Sequence, residues 1–163
     1  MFCLDISGSM CVSQPIVGKH KIKGDKTGQQ KNQFAEFMDG SDQFLQNEKN
    51  VTYVSRIQCV QAAVENQLMQ MAEGAPQRKV GIVTFNHEVQ VIGDATKDPQ
   101  TIAGDKLQNY DWLAENGTKE GEARLQNPIE QTRKVLLDKL LGLEETGPTA
   151  LGPAALTAIA MAA

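Results

Sequence analysis

The chain has 163 residues, a length that suits one domain of ordinary size. Hydrophobic residues make up 40% of the sequence and charged residues 22%, which excludes an intrinsically disordered chain. A net charge of −4 and an aromatic content of 5% give no reason to expect binding to nucleic acid or to an anionic membrane surface.

The three cysteines predict neither a disulfide framework nor a zinc site, because their number is odd and no C-x-x-C spacing occurs. We expect Cys3 and Cys59 to be buried small apolar residues of a strand and a helix. The sequence shows no secretory signal, and the Ala-rich segment 154–163 is too short to span a bilayer. These observations favour a reducing, cytoplasmic location.

A short apolar strand at the start of the chain leads into Asp5, Ser7 and Ser9. Side chains two residues apart in an extended segment share a face, and Gly8 lets the backbone curl so that the three oxygens turn toward one point. Carboxylate and hydroxyl oxygens suit a hard divalent cation such as Mg²⁺ or Mn²⁺. The same residues also fit a strand that ends in an ordinary Ser/Gly turn, with Asp5 as a helix cap. The pattern alone leaves both interpretations open.

Residues 12–50 are polar and contain four glycines, and we interpret them as an insertion between the first strand and the first helix. A short helix can form within it near Gln33–Met38. The composition favours a surface excursion over a binding loop. The next segment, residues 51–73, has apolar side chains at the three-to-four spacing of an amphipathic helix, namely Ile57, Val60, Val64, Leu68 and Met71.

Two strands and three helices are predicted after this first helix. Lys79–Phe85 is typical of a buried strand, and Glu88–Ile92 alternates like the edge strand of a hairpin. A short helix is expected around Ile102–Leu113, and another follows Pro128 and ends at Gly142. A last helix begins after the loop Thr146–Pro153. This order predicts a doubly wound α/β protein, in which ligands bind beyond the carboxyl ends of the strands.

The run DISGSM at residues 5–10, followed by GPTALGPA at 147–154, resembles the von Willebrand factor A domain, also called the integrin I domain. The resemblance implies an α/β three-layer sandwich, Rossmann-like, with a mostly parallel sheet and helices on both faces. It also implies that Asp5, Ser7, Ser9 and Thr149 are ligands of a metal-ion-dependent adhesion site, with Thr149 bound directly or through water.

The family also uses an aspartate after its fourth strand, to which no residue of this chain corresponds. We therefore interpret residues 1–163 as a partial domain of this family whose C-terminal half is missing. In such a truncated sheet the first strand would be central in character but would have a neighbour on one side only, which favours self-association.

The resemblance implies a binding module rather than an enzyme. Mg²⁺ or Mn²⁺ would keep one open coordination position, which an acidic residue of a partner protein would fill. The alternative is a structural scaffold fragment without a functional metal site. Catalytic patterns are weaker, because neither G-x-S-x-G nor S-x-x-K surrounds the serines and no Walker lysine follows the glycines. A Ser-His-Asp triad that includes His87 is the least favoured option. Asp94 and Asp98 are expected to cap helices or to be solvated.

Overall fold

The computed structural model describes residues 1–18 and 51–163. Over these residues the protein has the predicted α/β character, with a four-stranded sheet, a separate two-stranded ribbon and four α-helices. The strands are β1 Phe2–Asp5, β2 Ser13–Val17, β3 Val51–Ser55, β4 Ile82–Phe85, β5 Val89–Gly93 and β6 Gln100–Ile102. The helices are α1 Arg56–Gly74, α2 Tyr110–Arg124, α3 Ile129–Leu141 and α4 Leu151–Ala162, with short 3₁₀ helices at Gly8–Cys11 and Gly104–Gln108.

The four-stranded sheet has the order β1-β4-β5-β6. Strand β1 is parallel to β4, as expected, whereas the β4–β5 and β5–β6 pairs are antiparallel. The expectation of a mostly parallel sheet is therefore wrong for the described strands, and the sheet is mixed. Strand β5 pairs with β4 in the predicted hairpin, but it is not an edge strand, because β6 covers its other side. Strand β6 replaces the start of the helix predicted from Ile102.

Helices cover both faces of the sheet. Neighbouring side chains of a strand point to opposite faces, and the adjacent residues Ile82 and Val83 of β4 belong to two different cores. The first core lies under α1 and α3 and contains Leu4, Val64, Leu68, Val80, Ile82, Ile92, Ile129, Leu136 and Leu140. The second core lies under α2 and α4 and contains Val83, Phe85, Val89, Val91, Ile102, Leu113, Ala154, Ala158 and Met161.

Helix α1 begins at Arg56 rather than at residue 51. Ser55 accepts a hydrogen bond from the Gln58 amide, and the Gln58 side chain accepts one from the Ser55 amide, which together form a capping box. The five preceding residues form β3, which pairs antiparallel with β2. These two strands flank residues 19–50, which the structure does not describe, so the helix expected near Gln33–Met38 lies outside the described residues.

Strand β1 is less buried than its apolar sequence suggests. It lies at the edge of the described sheet, and only Leu4 of its four residues is buried. Cys3 is therefore exposed, and so is Cys59, which lies on the outer side of α1. The prediction that both cysteines are buried is wrong, because neither the open side of β1 nor the outer surface of α1 is covered by another described element.

Helices α2 and α4 pack very closely in the second layer. A Cβ atom added at Gly121 of α2 would lie 2.5 Å from the Met161 carbonyl oxygen of α4, and one at Gly117 would lie 3.0 Å from the Thr157 carbonyl oxygen. The two glycines therefore permit this backbone approach. No helix within residues 1–18 and 51–163 combines the length and hydropathy needed to cross a bilayer.

Candidate functional site

The carboxyl end of β1 brings three of the predicted oxygen ligands together. Asp5 Oδ1 accepts a hydrogen bond of 2.7 Å from the Ser7 amide, and Ser7 Oγ lies 3.3 Å from Ser9 Oγ. Ser7 is buried and Ser9 is exposed, so the cluster extends from the end of the strand to the surface. No hydrogen bond to Asp5 Oδ2 occurs among the described residues.

The loop that contains Thr149 lies beside this cluster. The Thr146 amide donates to the Ile6 carbonyl at 2.9 Å, and the Gly8 amide donates to the Gly147 carbonyl at 2.8 Å. The two segments that the sequence singled out, 5–10 and 147–154, are therefore neighbours in the fold. The Thr149 side chain is exposed, and no hydrogen bond joins it to Asp5, Ser7 or Ser9 within the part of the chain that the structure describes.

The turn between β4 and β5 supports the Thr149 loop from the other side. The Ala150 amide donates to the Asn86 carbonyl at 2.6 Å. Gly147 has φ +73°, and a Cβ atom added there would lie 2.6 Å from His87 Nδ1. The His87 side chain is 51% exposed, and it lies against this loop at Gly147. Among the described residues no hydrogen bond joins His87 to Ser7 or Ser9, so a triad is not formed.

The site contains one carboxylate and a nearby guanidinium group. No group of three or more His, Cys, Asp or Glu residues that could hold a metal occurs among residues 1–18 and 51–163. A cation held here would therefore depend on Asp5, neutral hydroxyls and ligands from another molecule. The guanidinium of Arg56, the first residue of α1, lies 3.5 Å from the Ser9 carbonyl oxygen, and so contributes positive charge at the edge of the cluster.

A second aspartate, Asp94, has a different environment from the predicted solvated or capping residue. It is 1% exposed, and its Oδ1 accepts from the amide and hydroxyl of Thr96 at 3.1 and 2.6 Å. Its Oδ2 accepts from the amide and the side chain of Asn127 at 3.1 and 2.9 Å. Burial acts to raise the pKa of Asp94, but these hydrogen bonds outweigh burial and hold the pKa below its usual range. Asp94 is a structural residue.

Comparison with known proteins connects the chain to a Ras protein. A curated protein of Dictyostelium discoideum, named "Circularly permutated Ras protein 1", is 28% identical to this chain over 172 aligned positions. The alignment covers 99% of this chain, whereas the chain spans 18% of the length of that protein. No protein-family model and no solved structure matches the chain.

These findings overturn the resemblance to the von Willebrand factor A domain. No model of that family matches, and the curated relative is named for a Ras protein. The predicted metal-dependent adhesion function is therefore wrong, and the acidic protein partner was implied by that resemblance alone. The scaffold alternative gains no support from the comparisons either. The resemblance was misleading because an aspartate followed two residues later by a hydroxyl residue forms a common turn. Asp94 and Thr96 form the same turn elsewhere in this chain, where it has a structural role.

Proposed function

We propose that this chain is a segment of a Ras-like nucleotide-binding protein, and that Asp5, Ser7, Ser9 and Thr149 hold the Mg²⁺ that accompanies the nucleotide phosphates. The similarity to a circularly permuted Ras protein supports the class of ligand. The position of the cluster at the end of β1 supports this location for the Mg²⁺ and the phosphates, since ligands of α/β sheets bind beyond the carboxyl ends of strands.

The observation that carries the proposal is the clustering of the Asp5 carboxylate with the hydroxyl groups of Ser7 and Ser9 at the carboxyl end of β1. Mg²⁺ prefers six oxygen ligands and is commonly bound by one or two carboxylates together with the phosphates of a substrate. A single carboxylate with neutral hydroxyls is too weak a set to hold Mg²⁺ alone. Phosphate oxygens would supply the missing ligands and negative charge, and Mg²⁺ would neutralise charge on the phosphates.

Arg56 strengthens the argument for an anionic ligand. Its guanidinium reaches the Ser9 carbonyl from the start of α1, a helix of 19 residues. Arginine binds phosphate through charge-assisted hydrogen bonds, and the amino end of a helix carries partial positive charge. A bound phosphate group at the Asp5 cluster would thus be attracted by both the cation and Arg56.

The proposal concerns nucleotide binding rather than hydrolysis by this chain. In P-loop proteins a lysine of the G-x-x-x-x-G-K-[ST] run cradles the β- and γ-phosphates. The present sequence contains no such run. We also propose an intracellular location, which is supported by three free and exposed cysteines, since exposed thiols suit a reducing compartment.

The test is titration with fluorescent GTP, GDP and ATP analogues in the presence of Mg²⁺ and then of EDTA. We expect saturable, Mg²⁺-dependent binding that prefers the guanine nucleotides. Asp5→Ala should weaken it by about tenfold or more, because the charged ligand of a hard cation is removed.

Asp138→Ala is the matched control, since Asp138 is an exposed aspartate of α3 that lies outside both site loops. It should bind like the wild type. Absence of Mg²⁺-dependent binding of any of the three nucleotides, or equal affinity in Asp5→Ala and the wild type, would contradict the proposed function.

A further inference from the structure

The side-chain hydroxyl of Thr84 is buried in the sheet and has no hydrogen-bond partner among the described residues. Thr84 of β4 is 0% exposed, and its Oγ1 is a buried polar atom without a hydrogen bond among the described residues. Buried polar side chains in folded proteins nearly always have a partner, since an unsatisfied hydroxyl costs about 1–3 kcal/mol. This exception therefore points to a ligand or a solvent molecule that satisfies the hydroxyl.

Thr84 lines a small cavity of about 70 Å³. The other residues that line it are Ile6, Phe85, Asn86, Glu88 and Gln90. Thr84 and Gln90 are directly paired across β4 and β5, so their side chains lie on the same face. A water molecule needs roughly 10–15 Å³ of such space, so the cavity has room for an ion together with water.

The cavity adjoins the Asp5 cluster, because Ile6, which lies between Asp5 and Ser7, is one of the residues that line it. Asp5 pairs with Phe85, whose side chain belongs to the core under α2 and α4. Thr84 is the neighbour of Phe85 along β4, so its side chain points to the other face, under α1 and α3. The Thr84 hydroxyl and the Asp5 carboxylate therefore lie on opposite faces near the same end of the sheet.

The chemistry of the cavity favours a cation of charge +1. Four of the lining residues have side-chain oxygens, namely Thr84, Asn86, Glu88 and Gln90, and Asn86 Oδ1 already accepts from the Glu88 amide. Glu88 is the one residue with an ionisable side chain among those that line the cavity. A monovalent cation would balance this charge, whereas a divalent cation would leave a partly buried net charge. His87 Nε2 lies 3.8 Å from Glu88 Oε1, beyond hydrogen-bond distance.

We propose that this cavity binds K⁺ or Na⁺ through Thr84, Glu88 and Gln90. The bound ion would stabilise the turn at residues 86–88, whose Asn86 carbonyl accepts the hydrogen bond from Ala150. It would thus help to hold the Thr149 loop in place without being a ligand of the nucleotide site.

The test is thermal unfolding of the full chain in KCl, NaCl and choline chloride at equal ionic strength. Choline is too large for the cavity, so it serves as the cation that cannot bind. We expect a melting temperature at least about 2 °C higher in K⁺ or Na⁺ than in choline. Thr84→Val, which preserves shape and removes the hydroxyl, and Glu88→Gln should each abolish this difference.

Two controls separate this site from other effects. Glu73→Gln changes an exposed carboxylate at the end of α1 and should keep the salt difference. Asp5→Asn should keep it as well, so that failure of the nucleotide proposal would leave this result unaffected. Equal melting temperatures of the wild type in all three salts would overturn the inference. So would a salt difference that survives in both Thr84→Val and Glu88→Gln, which would mean that the cavity holds only water.

Should Thr84→Val fail to fold, Glu88→Gln and thallium-205 NMR decide the question. Tl⁺ replaces K⁺ in oxygen sites, so the wild type should give a bound Tl⁺ resonance that K⁺ displaces. The resonance should be missing in Glu88→Gln and present in Glu73→Gln. A spectrum of free Tl⁺ alone with the wild type would contradict the proposal.

Discussion

Two aspartates of this protein form the same local turn at strand ends of one sheet, Asp5 as the last residue of β1 and Asp94 directly after β5, yet their surroundings differ. Asp5 Oδ1 accepts from the Ser7 amide, and Asp94 Oδ1 accepts from the Thr96 amide. The second oxygen of Asp94 is saturated by Asn127, whereas that of Asp5 has no hydrogen bond among the described residues. The local sequence sets the turn, and a residue distant in the sequence, Asn127, supplies the further hydrogen bonds that tie the Asp94 carboxylate into the fold.

The largest expected effect is the loss of stability in Asp94→Ala. Removal of this carboxylate leaves the donors of Thr96 and Asn127 without an acceptor, at a cost of about 3 kcal/mol in the free energy of unfolding. Asp5→Ala should cost less than about 1 kcal/mol, because one hydrogen bond is lost near the surface. Urea denaturation of both variants measures the difference. Equal destabilisation would remove the distinction between the two aspartates.

A second prediction concerns the Thr149 loop, which is hydrogen-bonded to the segment that follows Asp5. Gly147→Ala introduces a Cβ at φ +73° against His87 and should destabilise the protein by about 2–3 kcal/mol. Gly104→Ala is the matched control, since Gly104 has φ +62° but no atom within 4 Å of the added Cβ. It should cost only the backbone strain, about 1–2 kcal/mol. Thermal unfolding compares the two.

The same pair of glycine variants also reports on binding. Displacement of the Thr149 loop in Gly147→Ala should weaken Mg²⁺-dependent nucleotide binding, whereas Gly104→Ala should bind normally. Normal binding by a folded Gly147→Ala variant would show that the Thr149 loop is not part of the site.

A smaller effect is expected in the pH dependence of stability. The pKa of Asp94 is lowered from 3.8 in the fold, so its ionised form stabilises the folded state above the unfolded value. This stabilisation is lost as the pH falls below 3.8 through the folded pKa. Asp94→Asn should therefore show a shallower loss of stability with acid than the wild type. Urea midpoints measured between about pH 5 and pH 3 test this, and parallel curves for the two proteins would contradict it.

Local sequence patterns predicted the larger elements and missed those that depend on distant pairing. The apolar spacing of α1 and the Pro128–Gly142 limits of α3 gave both helices, because each buries one continuous face. Strand β6 has three residues, too few for a periodic signal. Strand β3 depends on pairing with β2 across residues 18–50, so its β-branched residues were assigned to the adjacent helix.

The site was predictable in part for the same reason. The oxygen cluster of Asp5, Ser7 and Ser9 is local, since each of the two hydrogen bonds within it joins residues two apart in the sequence. The hydrogen bonds of Asp94 depend on Asn127, which is 33 residues away in the sequence. No local sequence pattern predicts a contact over this separation. The family resemblance was misleading because it relied on a turn that this chain uses at both strand ends for different purposes.

The most direct test of the account is the binding of Mn²⁺ measured by electron paramagnetic resonance, with and without GDP. If Asp5 and phosphate oxygens share the metal, GDP should increase the affinity of the wild type for Mn²⁺ by about tenfold or more beyond the binding of Mn²⁺ to GDP alone. Asp5→Asn should lose this increase, and Asp138→Asn should retain it. An increase that is unchanged in Asp5→Asn, or absent from the wild type, would contradict the proposal that the carboxyl end of β1 is a metal–phosphate site.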